Sequence, residues 1–446
     1  MASKPNSIEP KAGGVSRCFP LLFGIFLGLA LLKFCNPPVM EKFVESPTNG
    51  YEWVIGTWPT RIAYWLLALV TLAGLFSLRW EIVAPRWLVA LPLVWLIWQF
   101  LSATQSVNAE LTVLTLKHFT ACVVCFYLGL LCLNREGVAT LFLWPIAVAF
   151  ALVIAVGFNQ HFGGLQETRD YFFTYIYPTL QEVPPEYLKK ISSNRIFSTV
   201  FYPNALAGAI LLLLPPLLAW IWQAHERFTA GARAFLCGAF LVGALGCLYW
   251  SGSKGGWLLA LGSGLVVLLN QNLSKRLKTV LVCSFLVIGI TGFVWKYAGF
   301  FQRGATSVVA RFDYWEAAWK TAVAKPILGS GPGTFGVVYA EIKRPESEMA
   351  RLAHNDYLEQ ASDSGFPGFM VYSAFVTGWV CVGYAGWRKN RSPLHLGVWV
   401  GLLAWGLQAI GEFTLYIPSL AWVAFAFAGW LLGTTGKPFD RATQAH

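Results

Sequence analysis

The sequence predicts an all-α integral membrane protein, about 12 transmembrane helices with a cap of short helices on the outer side. Three observations predict it. Hydrophobic residues make up 56% of 446 positions and charged residues 12%, about half the charged fraction of a soluble domain. The apolar residues fall in runs of about 17–24, each long enough to cross a hydrocarbon core of roughly 30 Å as a helix. A spanning backbone must satisfy its own polar groups, and these runs do so as helices. Finally, Lys and Arg crowd into alternate connecting loops, as membrane orientation requires.

The elements follow in order. A polar tail, 1–18, carries Lys4, Lys11 and Arg17. The first apolar run has no small-residue cleavage pattern after it, so it reads as a span and not a removable signal. The N-terminal spans are 19–35, 62–78, 86–102, 115–133 and 138–158, within 19–158. A first long loop, 159–199, leads to the central spans 200–223, 232–250, 256–270 and 279–299, within 200–299. Pro215 and Pro216 should kink the first of these. A second long loop, 300–366, leads to 367–387, 394–413 and 418–434, within 367–434, and a tail at 435–446. Trp80, Trp87, Trp250, Trp295 and Trp387 lie near run ends, where indole prefers the interface.

The charge pattern gives orientation. Arg79 and Arg86, Arg135, Arg227 and Arg233, Lys275, Arg276 and Lys278, and Arg388, Lys389 and Arg391 share one side with both tails, which add Lys437 and Arg441. Loops 103–114 and 414–417 hold neither Lys nor Arg, and 251–255 holds only Lys254. Both termini are therefore expected in the cytoplasm and both long loops outside. Those loops are rich in aromatics, Tyr171, Phe172, Phe173, Tyr175 and Tyr177 among them, so a folded cap is expected instead of disorder. There is no internal repeat. The net charge of +11 sits largely in orienting loops, which argues against nucleic-acid binding. Nine cysteines lie almost entirely in or beside apolar runs and read as small packing residues, the Cys122–Cys125 pair included.

Chemistry concentrates between Arg311 and Gly368. The segment Arg311-Phe-Asp-Tyr-Trp315 reads as a helix start. Gly329-Ser-Gly-Pro-Gly333 reads either as a tight turn or as backbone N–H groups offered to phosphate; it lacks the lysine of a nucleotide-binding loop. His354 stands in the outer loop beside Asn355 and Asp356, which are placed to orient it, and its imidazole can act as base, acid or cation. Arg195, Lys254 and Arg311 fall on the same outer side. A cation at the membrane edge often only snorkels, but three beside one histidine suggest an anionic ligand such as phosphate.

The stretch Arg311–Gly368 resembles the signature region of the O-antigen ligase and O-antigen polymerase superfamily. The most specific match is His354-Asn355, nine residues, then Gly365-x2-Gly368. Asn194-Arg195-Ile-Phe-Ser-Thr199 with Tyr202-Pro203-Asn204-Ala-Leu-Ala207, and Ser251-Gly-Ser253-Lys254-Gly255-Gly256-Trp257, are similar to two upstream pieces of that family. The resemblance implies a membrane-embedded, metal-independent, inverting glycosyltransferase with no cofactor. It would move a glycan from undecaprenyl diphosphate to an acceptor at the periplasmic face of a bacterial inner membrane. The acceptor would be a lipid A core sugar, a growing polysaccharide or a protein. The family's essential arginines fall at Lys254 and Arg311 and its histidine at His354; lysine at the first position keeps the charge but not the bidentate fork. The candidate catalytic residues are then His354 and Arg311. The candidate substrate-binding residues are Arg195, Lys254, Arg311 and Asn355. No paired-carboxylate metal motif stands in either outer loop, though Asp313, Asp356 and Asp363 are present. A transporter and a non-catalytic envelope scaffold are the rival classes. Convergence of His354, Arg311 and Lys254 below a lateral opening to the bilayer would favour the enzyme, and their scatter the scaffold.

Overall fold

A computed structural model describes residues 14–134, 137–179, 188, 191–200, 202–302 and 306–434. Lys4, Lys11, Arg135, Lys437 and Arg441 of the charge pattern, the tails at 1–13 and 435–446, and most of 180–190 lie outside the described residues. The described chain is helical throughout, without a strand. Its helices are α1 (Gly14–Lys33), α2 (Gly50–Ile55), α3 (Thr60–Leu75), α4 (Arg86–Ala103), α5 (Ala109–Cys132), α6 (Val138–Asn159) and α7 (Leu165–Tyr171). There follow α8 (Pro203–Gln223), α9 (Ala230–Ser251), α10 (Lys254–Leu269), α11 (Lys275–Gln302) and α12 (Thr306–Ala324). The last are α13 (Phe335–Ile342), α14 (Asp356–Asn390), α15 (Pro393–Gln408) and α16 (Pro418–Thr434).

A helix stands at each of the apolar runs expected to span. Seven helices among the described residues are long and apolar enough to cross a membrane on length and composition alone, and four shorter ones are also apolar. The chain is thus a multi-pass, all-α membrane protein. Its centre is α16 against α5. Gly129 meets the Ala426 carbonyl and Gly429 meets the Phe126 carbonyl, so the two backbones touch where any side chain would hold them apart. α15 lies against α8 in the same way, with Gly401 on the Leu212 carbonyl. By contrast, α11 packs on little but α10: Gly289 and Tyr297 are its buried residues among those described.

Two expectations change between α11 and α14. Arg311 does not start its helix; α12 begins at Thr306, which places Arg311 in the second turn. The expected span 367–387 is the second part of α14. Its first part starts at Asp356 and breaks at Ser364 and Gly365, where Gly365 has φ +69°. A side chain there would collide with the carbonyls of Pro326 and Ile327. Phe366 N–H donates to the Pro326 carbonyl at 2.9 Å across the same contact. The kink thus locks the glycine loop onto the head of α14, directly after His354.

Candidate active site

Between α15 and α16 the chain makes a short buried loop. Asp356 N–H donates to the Ala409 carbonyl (2.8 Å), and the Asp356 carboxylate accepts from Thr414 Oγ1 (3.0 Å) and Leu415 N–H (2.8 Å). His118 Nε2 donates to the Leu415 carbonyl at 2.7 Å from α5. These bonds fix the loop and aim Glu412 into a polar cluster. Its Oε1 accepts from Asn204 Nδ2 at 2.6 Å and from the Arg311 guanidinium. Its Oε2 accepts from the Tyr202 hydroxyl at 2.6 Å and faces His354 Nδ1 at 3.3 Å. Four donors fill the four lone-pair directions of one carboxylate. Burial pushes the Glu412 carboxyl up; the hydrogen bond from His354, the charge of Arg311 and the Tyr202 hydroxyl outweigh it and hold the group below its ordinary range.

The other two cations lie within electrostatic range of Arg311. Arg195 donates from Nε to the Ser251 carbonyl (2.6 Å) and from Nη2 to Asn204 Oδ1 (2.8 Å), so Asn204 bridges it to Glu412. Lys254 opens α10 behind the Ser253 cap, whose Oγ accepts from Gly256 N–H at 3.2 Å. Its ammonium lies 3.8 Å from the Phe300 ring centroid and feels the like charges of Arg195 and Arg311. Arg311, His354 and, through Asn204, Arg195 are therefore joined on one carboxylate, and Lys254 lies within electrostatic range of both arginines.

The histidine itself is held in an unusual backbone state. His354 has φ +52°, a left-handed conformation that costs a non-glycine residue about 1–3 kcal/mol. Its carbonyl accepts from Trp315 Nε1 at 3.4 Å, and its ring stands edge-on to Phe413 at 4.7 Å. With Nδ1–H directed at Glu412, Nε2 is the ring atom left to act on a ligand. The His354 side chain retains 26% exposure against 9% for Glu412, so the imidazole is the open end of this pair.

Residues 239–373 match the family model described as O-antigen ligase. The match covers under a third of the chain and shows what this segment is similar to. The superfamily inferred from the sequence motifs is therefore met. No curated protein matches the chain in a direct sequence comparison. The matched domain contains Lys254, Arg311, His354 and Asn355, whereas Arg195, Tyr202, Asn204 and Glu412 lie outside it.

In and around the matched segment, several residues take places the sequence did not suggest. Asn355 caps α14, its Oδ1 accepting from Leu358 N–H at 3.0 Å. Asp356 faces the 409–415 loop, so Glu412 orients the histidine ring instead of Asn355 or Asp356. The glycine loop packs inward: Ser330 and Gly331 N–H groups donate to the Ser362 and Asp363 carbonyls, and Gly333 N–H to Asp363 Oδ2 at 2.7 Å. Its amides are used within the fold, which makes it the tight turn and not a phosphate cradle. Asp313 binds Ser347 Oγ at 2.7 Å. Glu412 was absorbed into the apolar run 394–413. A lone carboxylate in such a run is the signal that would have singled it out.

Proposed function

We propose that this protein is an O-antigen-ligase-like glycosyltransferase. It moves a glycan from undecaprenyl diphosphate to an acceptor hydroxyl at the periplasmic face of the bacterial inner membrane. The observation that supports this reading is the Glu412 cluster, which joins His354 to Arg311 and, through Asn204, to Arg195, with Lys254 in electrostatic range of the two arginines.

The chemistry follows from those groups. His354 Nε2 takes the proton from the acceptor hydroxyl as its oxygen attacks the anomeric carbon. The bond from that carbon to the phosphate oxygen breaks on the opposite face, so the configuration inverts. The electron pair leaves on the diphosphate. Arg195, Lys254 and Arg311 stabilise the charge that develops there, in a site where fixed cations act more strongly than in water. Fixed cations suit a diphosphate ester, and the step is assigned no divalent metal. Glu412 holds the histidine tautomer and keeps Arg311 in place. In the proposed topology, 12 helices span, both termini are cytoplasmic, and 159–199 and 300–366 with His354 are periplasmic.

Lipid analysis after deletion of the gene tests the proposal. Carrier-linked glycan should accumulate and disappear again when the wild-type gene is restored, but not with Arg311→Ala. Long accumulated chains indicate a ligase and single repeats a polymerase. Carrier-linked glycan at wild-type levels in the deletion strain would refute both.

A further inference from the structure

Helix α11 is turned almost wholly outward, yet its one tyrosine is turned in. Tyr297 is 5% exposed, and its hydroxyl has no hydrogen-bond partner among the described residues. A tyrosine at a membrane interface normally keeps its hydroxyl in water. Here the ring lies 5.5 Å from the Lys254 ammonium and 5.8 Å from that of Lys296, and Arg195 is within electrostatic range. A second buried donor belongs to the same cluster: Arg311 gives its terminal nitrogen to Glu412, but its Nε has no partner among the described residues. Buried donors are almost always paired, and each one left unmade costs stability. Arg195 lies within electrostatic range of both Tyr297 and Arg311, which places the two donors around one group of cations.

We infer that the Tyr297 hydroxyl is a donor-binding group that hydrogen-bonds an oxygen of the carrier diphosphate, with Arg311 Nε as its counterpart across the cluster. The inference rests on the proposed glycosyltransferase reading and deepens it. A phenol bound to an anionic phosphate oxygen makes a charge-assisted hydrogen bond. The same arrangement explains why Tyr297 is buried on a helix whose surface is otherwise largely exposed.

The test uses the full-length protein purified in detergent, with Tyr297→Phe compared to wild type. The variant removes one oxygen atom that bonds nothing in the protein, so thermal stability should stay the same or rise. Binding of undecaprenyl diphosphate, read as ligand-induced protection against unfolding, should weaken about tenfold or more. The KM for the carrier-linked donor should rise by a similar factor. Arg311→Ala, measured in parallel, separates the two levels of the argument. Wild-type affinity and KM in Tyr297→Phe beside an inactive Arg311→Ala would overturn the inference and leave the reaction intact. Full transfer by Arg311→Ala would overturn the reading beneath it. A Tyr297→Phe protein that melts lower than wild type would also overturn the inference, because the hydroxyl would then hold the fold and not the ligand.

Discussion

Glu412 accepts four hydrogen bonds, and that saturation decides what its loss does. A glutamine at 412 has one oxygen to offer, and its NH2 faces two donors. Arg311 then keeps a buried charge without a counter-ion, which costs about 3 kcal/mol or more. Glu412→Gln should therefore melt lower in detergent at neutral pH and lose most activity. The sign of the pH effect follows from the lowered carboxyl. Ionised Glu412 contributes its full stability above the ordinary glutamate value of about 4.3, and the contribution fades as pH falls through the lower folded value. Wild-type stability should drop on acidification below about pH 4, a step that Glu412→Gln should lack; melting curves between neutral and acid pH read it directly. His354 carries the other residue-scale prediction. His354→Ala should reduce turnover about 10²–10⁴-fold with little change in donor affinity. If the neutral ring is the base, activity rises with pH and then levels, and this limb vanishes in His354→Gln. A falling limb that vanishes instead would make His354 a cationic phosphate ligand. His354, Arg311, Lys254 and Arg195 were legible in the sequence because each sits in a local motif. Glu412 was not, since its partner Asn204 lies 208 positions away.

At the scale of elements, the spans were legible because length and hydropathy are local properties, and each expected run coincides with a helix. The breaks were less so. Gly365 and Pro367 mark a boundary locally, but neither reveals that a helix precedes it from Asp356 or that Gly365 turns the chain with a φ of +69°. Gly365→Ala places a methyl against the Pro326 and Ile327 carbonyls and strains a left-handed residue. The variant should accumulate poorly and melt lower, and what folds should be less active because the turn that aims His354 has shifted. Stable, fully active Gly365→Ala would show that the kink is incidental to the site. The glycine loop was readable as a turn but not as packing. Its tertiary partners, Ser362 and Asp363, lie about 30 residues downstream at the head of α14, at a separation no local pattern encodes.

Across the whole molecule, composition made the membrane class legible and the Lys and Arg asymmetry gave an orientation. Neither shows which helices stand at the edge; the outward face of α11 is a product of packing. Orientation is testable at Glu346, an exposed residue on the His354 side of the second long loop. A single cysteine there, in an otherwise cysteine-free background, should label from the periplasm in intact cells. Labelling only after the inner membrane is opened would invert the topology. The most direct measurement is transfer by purified protein in liposomes, supplied with undecaprenyl-diphosphate-linked glycan and acceptor in the presence of EDTA. Wild type and Lys254→Arg should release the carrier diphosphate and extend the acceptor, while Arg311→Ala, Lys254→Ala and His354→Ala should not. Transfer that stops with EDTA, or continues undiminished in the three alanine variants, would contradict a cation-clamped, histidine-assisted glycosyl transfer.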